Sequence, residues 1–210
     1  MIKVLVADDH AIVRRGLRQI LAETEDIMIG GEAATAQEVL DLVRRERWNA
    51  VILDIGLPGA QGLGLLAEIR KERPELPMLV LTVHSEEQYA VRAIKAGAAG
   101  FLTKESAPEK LIEAVRKVAG GGRYVSAELA ENLASFLAGE TAGAPHERLS
   151  DREFEIMKML GSGKTVSEVA RALSLSVKTV STHRTRILKK MGMKTNAELT
   201  HYAVRGRLVD

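Results

Sequence analysis

The sequence predicts a doubly wound α/β unit built on a five-stranded parallel sheet, followed by a small all-α unit. Three observations lead there. Through about residue 120, short β-branched runs alternate with amphipathic stretches, the pattern of successive βαβ units. At Gly120-Gly-Gly122 that alternation stops, and from Leu149 onward the apolar period is helical only. Within this second part, Thr165–Leu173, Ser174-Leu-Ser176 and Val177–Met191 have the shape of a helix-turn-helix.

The strands are expected over Ile2–Ala7, Ile27–Glu32, Ala50–Asp54, Met78–Thr82 and Gly100–Thr103. The helices between them are expected over Ala11–Ala22, Ala36–Glu46, Gly62–Glu72, Glu86–Ala96 and Ala107–Ala119. Three of them open on a hydroxyl residue with Glu or Gln three places on, a capping box: Thr35-Ala-Gln-Glu38, Ser85-Glu-Glu-Gln88 and Ser106-Ala-Pro-Glu109. A short helix follows at about Ala127–Leu137, and Gly139–Arg148 carries turn formers without an apolar period. Three more boxes, at Ser150–Glu153, Thr165–Glu168 and Thr195–Glu198, start helices of the second part, and Ser176 caps the helix Val177–Met191. The expected divisions are therefore 1–120, a connecting segment 121–148 and a helical unit 149–210.

Composition removes whole classes of function. The chain has no Cys, which excludes disulfides, thiolate metal sites and Cys nucleophiles. Two acids, Asp8 and Asp9, interrupt the N-terminal apolar run too early for a signal peptide, and no run approaches the length of a membrane helix. A soluble, cytoplasmic protein is the expectation. The net charge of +2 conceals an asymmetry. Residues 146–210 hold 13 Lys and Arg against 7 Asp and Glu, a net of +6, while 1–145 hold 17 against 21, a net of −4. A basic helical unit joined to a mildly acidic α/β unit points to nucleic acid at one end and regulation at the other.

In open parallel sheets, ligands bind at the carboxyl ends of the strands near the point where strand order reverses. Those ends carry Asp8 and Asp9, Asp54, Thr82 and Lys104. One Asp at a strand end is a turn former; a matched set on several strands asks for another account. Converging carboxylates repel unless a cation neutralises them, and a hard divalent ion with oxygen ligands, most naturally Mg²⁺, suits the set. Lys104 adds a fixed positive charge for a phosphoryl oxygen, and Thr82 a hydroxyl for another. A carboxylate so placed is a competent nucleophile toward a phosphoryl group, giving an aspartyl phosphate.

Asp8-Asp9, Asp54 followed by Leu57-Pro58-Gly59, Thr82, and Gly100-Phe101-Leu-Thr-Lys104 together resemble the receiver domain of two-component response regulators, across about 1–120. The resemblance implies a flavodoxin-like fold with Asp54 as phosphoacceptor. It implies Asp9, Asp54 and the backbone carbonyl of Gly56 as Mg²⁺ ligands, with Asp8 acting mainly through water. Lys104 becomes the phosphate-contacting lysine. Thr82 and Phe101 become a switch pair, the hydroxyl moving to the phosphate and the ring following it inward. Gln61 stands where many relatives carry an acid, and Glu105 where a proline is common.

In the helical unit, Val166, Val169, Ala170 and Leu173 form an inward stripe on the first helix of the motif. Val180, Ile187 and Met191, flanked by Val177 and Leu188, form one on the second. The remaining surface of the second helix carries Lys178, Thr179, Ser181, Thr182, Thr185, Arg186, Lys189 and Lys190 and no acid. Such a face suits DNA: Arg186 and short hydroxyl side chains reach base edges, while Lys178, Lys189 and Lys190 meet phosphates. From Leu149-Ser-Asp-Arg-Glu153 through Val180-Ser-Thr-His183 to Lys190-Met, the sequence resembles the LuxR-type helix-turn-helix, and the whole chain is similar to the NarL/FixJ class of response regulators. That class implies a transcription factor and not an enzyme, a sensor histidine kinase as phosphoryl donor, and a dimer on promoter DNA. The final helix, Ala197–Arg205, then mediates dimerisation, with His183 serving in packing or as a phosphate contact. A second reading takes the acidic set as a Mg²⁺-dependent phosphatase or phosphotransferase for a small molecule. It leaves the basic helix unused, and Gly56 stands where a further general acid would be needed.

Overall fold

Side-chain alternation along the strands builds two cores, one on each face of a single sheet. The computed structural model describes the chain except residues 59–62, 84–85, 127–128, 132–143, 207 and 210, with the backbone alone at 86–88. It divides into two compact units, Met1–Ala134 and Ser135–Asp210. In β1 (Ile2–Ala7), Val4 and Val6 join a cluster with Leu17 and Leu21 of α1 (Ala11–Ala22) and Leu111, Val115 and Val118 of α5 (Pro108–Ala119). Leu5 and Ala7 join the opposite cluster. It takes in Val39 and Val43 of α2 (Ala36–Arg45), Leu66 and Ile69 of α3 (Gly64–Glu72), and Ala90 and Ala93 of α4 (Glu86–Ala96). β3 (Ala50–Leu53) divides in the same way, with Ala50 and Ile52 on the first face and Val51 and Leu53 on the second.

The strands, completed by β2 (Ile27–Ala33), β4 (Met78–Thr82) and β5 (Gly100–Thr103), are all parallel in the order β2-β1-β3-β4-β5. The winding reverses between β1 and β3, which opens a crevice at their carboxyl ends. Register fixes what enters it. Ala7 lies opposite Leu53, so Asp8 and Asp54 leave the sheet side by side. Thr82 lies opposite Thr103, so Lys104 emerges beside Thr82, its N–H on the Thr82 carbonyl at 2.8 Å.

Helix starts mostly follow their caps. The Thr35 hydroxyl accepts from the Glu38 N–H, although the Glu38 carboxylate reaches back to Ala34 N–H and not to Thr35. The box expected at Ser106 does not form. α5 begins at Pro108 behind Ala107, which is extended (φ −60°, ψ 146°) and makes no side-chain cap. Proline at the first helical position holds the preceding residue out of the helical region, so the boundary falls one residue later than the hydroxyl needs. The box at Ser85–Gln88, and most of the short helix expected at Ala127–Leu137, lie outside the described residues; Leu129–Glu131 are helical.

Past α5 the chain returns to the sheet. Tyr124 forms a parallel bridge with Gly100, giving its N–H to Ala99 O (2.9 Å) and accepting from Phe101 N–H (3.2 Å). Tyr124 packs with the α1/α5 cluster, whereas Val125 and Leu129 belong to the other.

In the second unit the described residues begin with a 3₁₀ turn, Pro145–Arg148, where His146 Nδ1 lies 2.7 Å from the Tyr202 hydroxyl. Four helices follow: α6 (Asp151–Gly161), α7 (Val166–Ala172), α8 (Val177–Met191) and α9 (Asn196–Arg205). Full capping boxes start α6 at Ser150 and α7 at Thr165; Ser176 caps α8 by accepting from Thr179 N–H. At Thr195 only the hydroxyl half forms, since Glu198 takes the Lys194 N–H instead. α8 stops at Gly192, in the left-handed region (φ 68°) that ends helices cheaply when the residue is glycine. In the α7–α8 turn Ser174 is left-handed too (φ 52°), the one such non-glycine residue among those described. Val180, Ile187, Leu188 and Met191 are buried as expected, but Val177 is 51% exposed. At the first position of α8 its Cα–Cβ bond tilts out of the helix end, with no preceding turn to cover.

Glu153 links two of these helices. It is 4% exposed, and its carboxylate accepts from the Ser150 N–H (2.8 Å), the Ser150 hydroxyl (3.0 Å) and Lys190 Nζ of α8 (2.6 Å). Burial alone would raise its pKa, yet Lys190 and Ser150 outweigh it and hold the carboxyl below its ordinary range. A lowered folded pKa contributes stability above the unfolded value, and that stability is lost as pH falls through the folded one. Glu153→Gln is therefore expected to cost about 1.5 kcal/mol at neutral pH, the lower end for a bond to a charged group because Lys190 is part-exposed. In urea melts the deficit should shrink as pH falls through the carboxylate range. A deficit independent of pH would show that the charge contributes nothing.

Candidate functional site

At the β1/β3 crevice, Lys104 Nζ lies 2.6 Å from both Asp8 Oδ2 and Asp54 Oδ2. Both carboxylates are buried, Asp8 at 2% and Asp54 at 5% exposure. Local backbone orients the other oxygens: His10 N–H donates to Asp8 Oδ1 at 2.9 Å and Gly56 N–H to Asp54 Oδ1 at 3.0 Å. Arg14 secures the β1–α1 turn, donating through Nη1 to the Asp8 carbonyl (2.7 Å) and pairing through Nε with Glu32 (3.2 Å). Burial of the Lys104 amine opposes its charge, but the hydrogen bonds and fields of Asp54 and Asp8 prevail, and its pKa is raised. This lysine stays an ammonium throughout the physiological range.

Asp9 is exposed at the crevice mouth. Its Oδ1 lies 2.7 Å from His10 Nδ1, and ligand atoms of Asp8, Asp9, His10 and Asp54 all fall within 4.8 Å of one another. Three formal negative charges against one lysine leave −2 in a largely buried site, and the donors are hard oxygens. That acidic pocket is compatible with a hexacoordinate divalent ion that keeps some of its waters. Thr82 is fully buried at the end of β4, and Phe101 is 1% exposed within the cluster shared by α3 and α4. The ring thus already lies inside, where the switch expectation has it arrive. Two contributors escaped the sequence reading. His10 follows the Asp pair directly, but a lone His at a helix start carries little signal; Arg14 becomes visible only once α1 and β2 are packed.

On α8, Lys178, Ser181, Thr182, Thr185, Arg186 and Lys189 are exposed, and Thr179 is half-buried. The Thr182 hydroxyl donates to the Lys178 carbonyl (2.9 Å) and that of Thr185 to Ser181 (3.1 Å), leaving oxygen lone pairs for an incoming donor. Thr179 and Ser176 hydroxyls lie 2.7 Å apart at the cap. Lys190, expected with the phosphate-facing lysines, has its Nζ on Glu153, so it fastens α8 to α6. Arg184 likewise donates to Asn196 Oδ1 at 2.6 Å. His183 is half-buried with Nδ1 enclosed and unpartnered among the described residues, which fits packing better than a phosphate contact through that nitrogen. On the final helix, Leu199 and Ala203 are buried in the unit's own core, and the large apolar side chain left exposed is Val204.

Residues 4–116 match the model of the response regulator receiver domain, and 147–203 that of the bacterial regulatory proteins of the luxR family. The chain is 37% identical over 212 residues to the response regulator GacA of Pseudomonas aeruginosa, covering 100% of this chain and 99% of the relative. It is 36% identical over 206 residues to the response regulator UvrY of Escherichia coli K12, covering 98% and 94%. Among solved structures it resembles RcsB of Salmonella enterica serovar Typhimurium bound to the rprA promoter with the phosphomimetic BeF3−. There the TM-score is 0.69 at 26% identity, over 96% of this chain and 98% of that one.

Proposed function

Because the chain belongs to the response regulators that join a receiver domain to a LuxR-family DNA-binding domain, we propose that Asp54 accepts a phosphoryl group and that α8 reads promoter DNA in response. The observation that carries this is Lys104 Nζ held 2.6 Å from Asp8 and Asp54 at once. A cation fixed between two carboxylates at a strand switch point marks where a group bearing several negative oxygens would sit. The donor is a phosphohistidine of a sensor kinase: its P–N bond breaks, a bond forms from the Asp54 carboxylate to phosphorus, and the imidazole takes a proton. Lys104 then contacts one phosphoryl oxygen, and the Thr82 hydroxyl donates to another. Asp9, Asp54 and the Gly56 carbonyl would hold Mg²⁺, with Asp8 through water; the ion supplies charge neutralisation at the phosphoryl oxygens.

The domains carry these roles as 1–120 and 149–210, joined by 121–148, and the protein works in the cytoplasm. Among the described residues no helix is long and apolar enough to cross a membrane. On DNA, Lys178 and Lys189 meet phosphates. Arg186, Thr182 and Thr185 face base edges, with Ser181 and Thr179 at the margin. Two copies pair through α9 at Val204. In a salt-controlled anisotropy titration with promoter fragments upstream of the chain's own gene, beryllofluoride with Mg²⁺ is expected to tighten binding. Equal affinity with and without the phosphoryl mimic, or equal affinity for random duplex, would overturn this reading.

A further inference from the structure

We propose that the segment Arg123–Val125, with Leu129, is a strap on the free edge of β5 that senses the position of Phe101 and passes it to the chain leading to the DNA-binding unit. Phe101 and the strap are tied through the backbone and belong to a common core. Through the backbone, Phe101 N–H donates to Tyr124 O (3.2 Å), and Tyr124 N–H donates to Ala99 O (2.9 Å) on the same strand. Through the side chains, Phe101, at 1% exposure, shares one apolar cluster with Leu129, at 2%, and Val125 packs against it.

Gly100 makes the close approach achievable. A Cβ there would sit 2.9 Å from the Tyr124 carbonyl oxygen and 2.9 Å from Leu79 Cδ1. Tyr124 packs with the cluster on the opposite face of the sheet, and Lys117 Nζ lies 5.8 Å from the centroid of its ring. The strap therefore grips both faces at the edge strand that bears Phe101 and ends next to Lys104. A packed element of this kind has discrete docked and undocked arrangements, not a continuum.

In the arrangement described here the ring is inside and the strap is docked. Whatever holds the ring inside favours docking, and by linkage a docked strap favours the ligand that holds the ring. This rests on the reading of Asp54 and Phe101 given above. Beryllofluoride with Mg²⁺ is then expected to slow hydrogen exchange at the Phe101 and Tyr124 amides of the full chain by about tenfold, within the usual range of coupling between sites. Tyr124→Ala should abolish that slowing and most of the gain in DNA affinity, with Tyr124→Phe restoring both. Labelling of Asp54 by acetyl phosphate should continue in each.

Should Tyr124→Ala fail to fold, Gly100→Ala displaces the strap without touching either site, and the wild-type exchange measurement needs no variant. If Asp54 is labelled but the two amides exchange at an unchanged rate, the strap is structural and the inference falls. If beryllofluoride does not bind and Asp54 is not labelled, it is the reading of the acidic site that fails.

Discussion

Asp54→Asn is expected to reduce Mg²⁺-dependent labelling by acetyl phosphate to background while leaving the fold in place. The substitution removes the nucleophile, one of the two carboxylates on Lys104 and one proposed Mg²⁺ ligand. Asn keeps the shape, its Oδ1 can still accept the Gly56 N–H now given to Asp54 at 3.0 Å, and Lys104 retains Asp8 at 2.6 Å. The fold therefore keeps a compensated lysine, which a truncation to Ala would leave beside a void. Asp9→Asn is the informative companion. Asp9 is exposed and bound to neither Lys104 nor the backbone donors that orient Asp8 and Asp54, so its loss should weaken metal affinity without removing the acceptor. Labelling should then recover as Mg²⁺ is raised. Phosphopeptide mapping that finds the label elsewhere in Asp54→Asn would overturn the assignment. Recovery of Asp54→Asn itself at high Mg²⁺ would do the same.

What the sequence made legible is local and periodic. The five strands and the helices between them followed from strand–helix alternation, because successive βαβ units repeat that pattern along the chain. The convergence of Asp8, Asp54, Thr82 and Lys104 followed from strand ends, and the backbone register delivers it. Tertiary partners left no local trace. The Glu153–Lys190 pair spans two helices, and nothing in the spacing of α8 separates Lys190 from Lys189. Tyr124 follows a glycine run and reads as connection although it bridges to Gly100 at the sheet edge, and a short helix over Ala127–Leu137 does not by its spacing show that Leu129 joins the core of the first unit. At Ser106 two local rules competed, and the proline two residues on prevailed over the hydroxyl. Leu199 and Ala203 mark a core face, and only packing shows that Val204 is the one left outward.

Lys189→Ala is expected to weaken binding to all duplex sequences alike and to flatten the dependence of log K on log salt by about one unit, the loss of one neutralised phosphate. Its end group makes no ion pair with an acid among the described residues, unlike that of Lys190, so the charge on offer to DNA is undivided. Lys190→Ala provides the contrast. The chain should lose stability through the uncompensated Glu153 carboxylate, and at a temperature where it stays folded its salt slope should change by less than that of Lys189→Ala. Arg186→Ala tests the other half of the face. Arginine can bridge two acceptors on one guanine edge, so its loss should cost about 1–3 kcal/mol at one base pair and relax preference there. Matched titrations on the native site and on single-base variants separate these outcomes, because phosphate contacts move every curve together and a base contact moves one. If Arg186→Ala shifts all sites equally, that side chain is a phosphate contact and sequence reading passes to Thr182 and Thr185. If Lys189→Ala leaves the salt slope intact, the exposed lysines of α8 do not face the duplex backbone and the docking of the helix has to be redrawn.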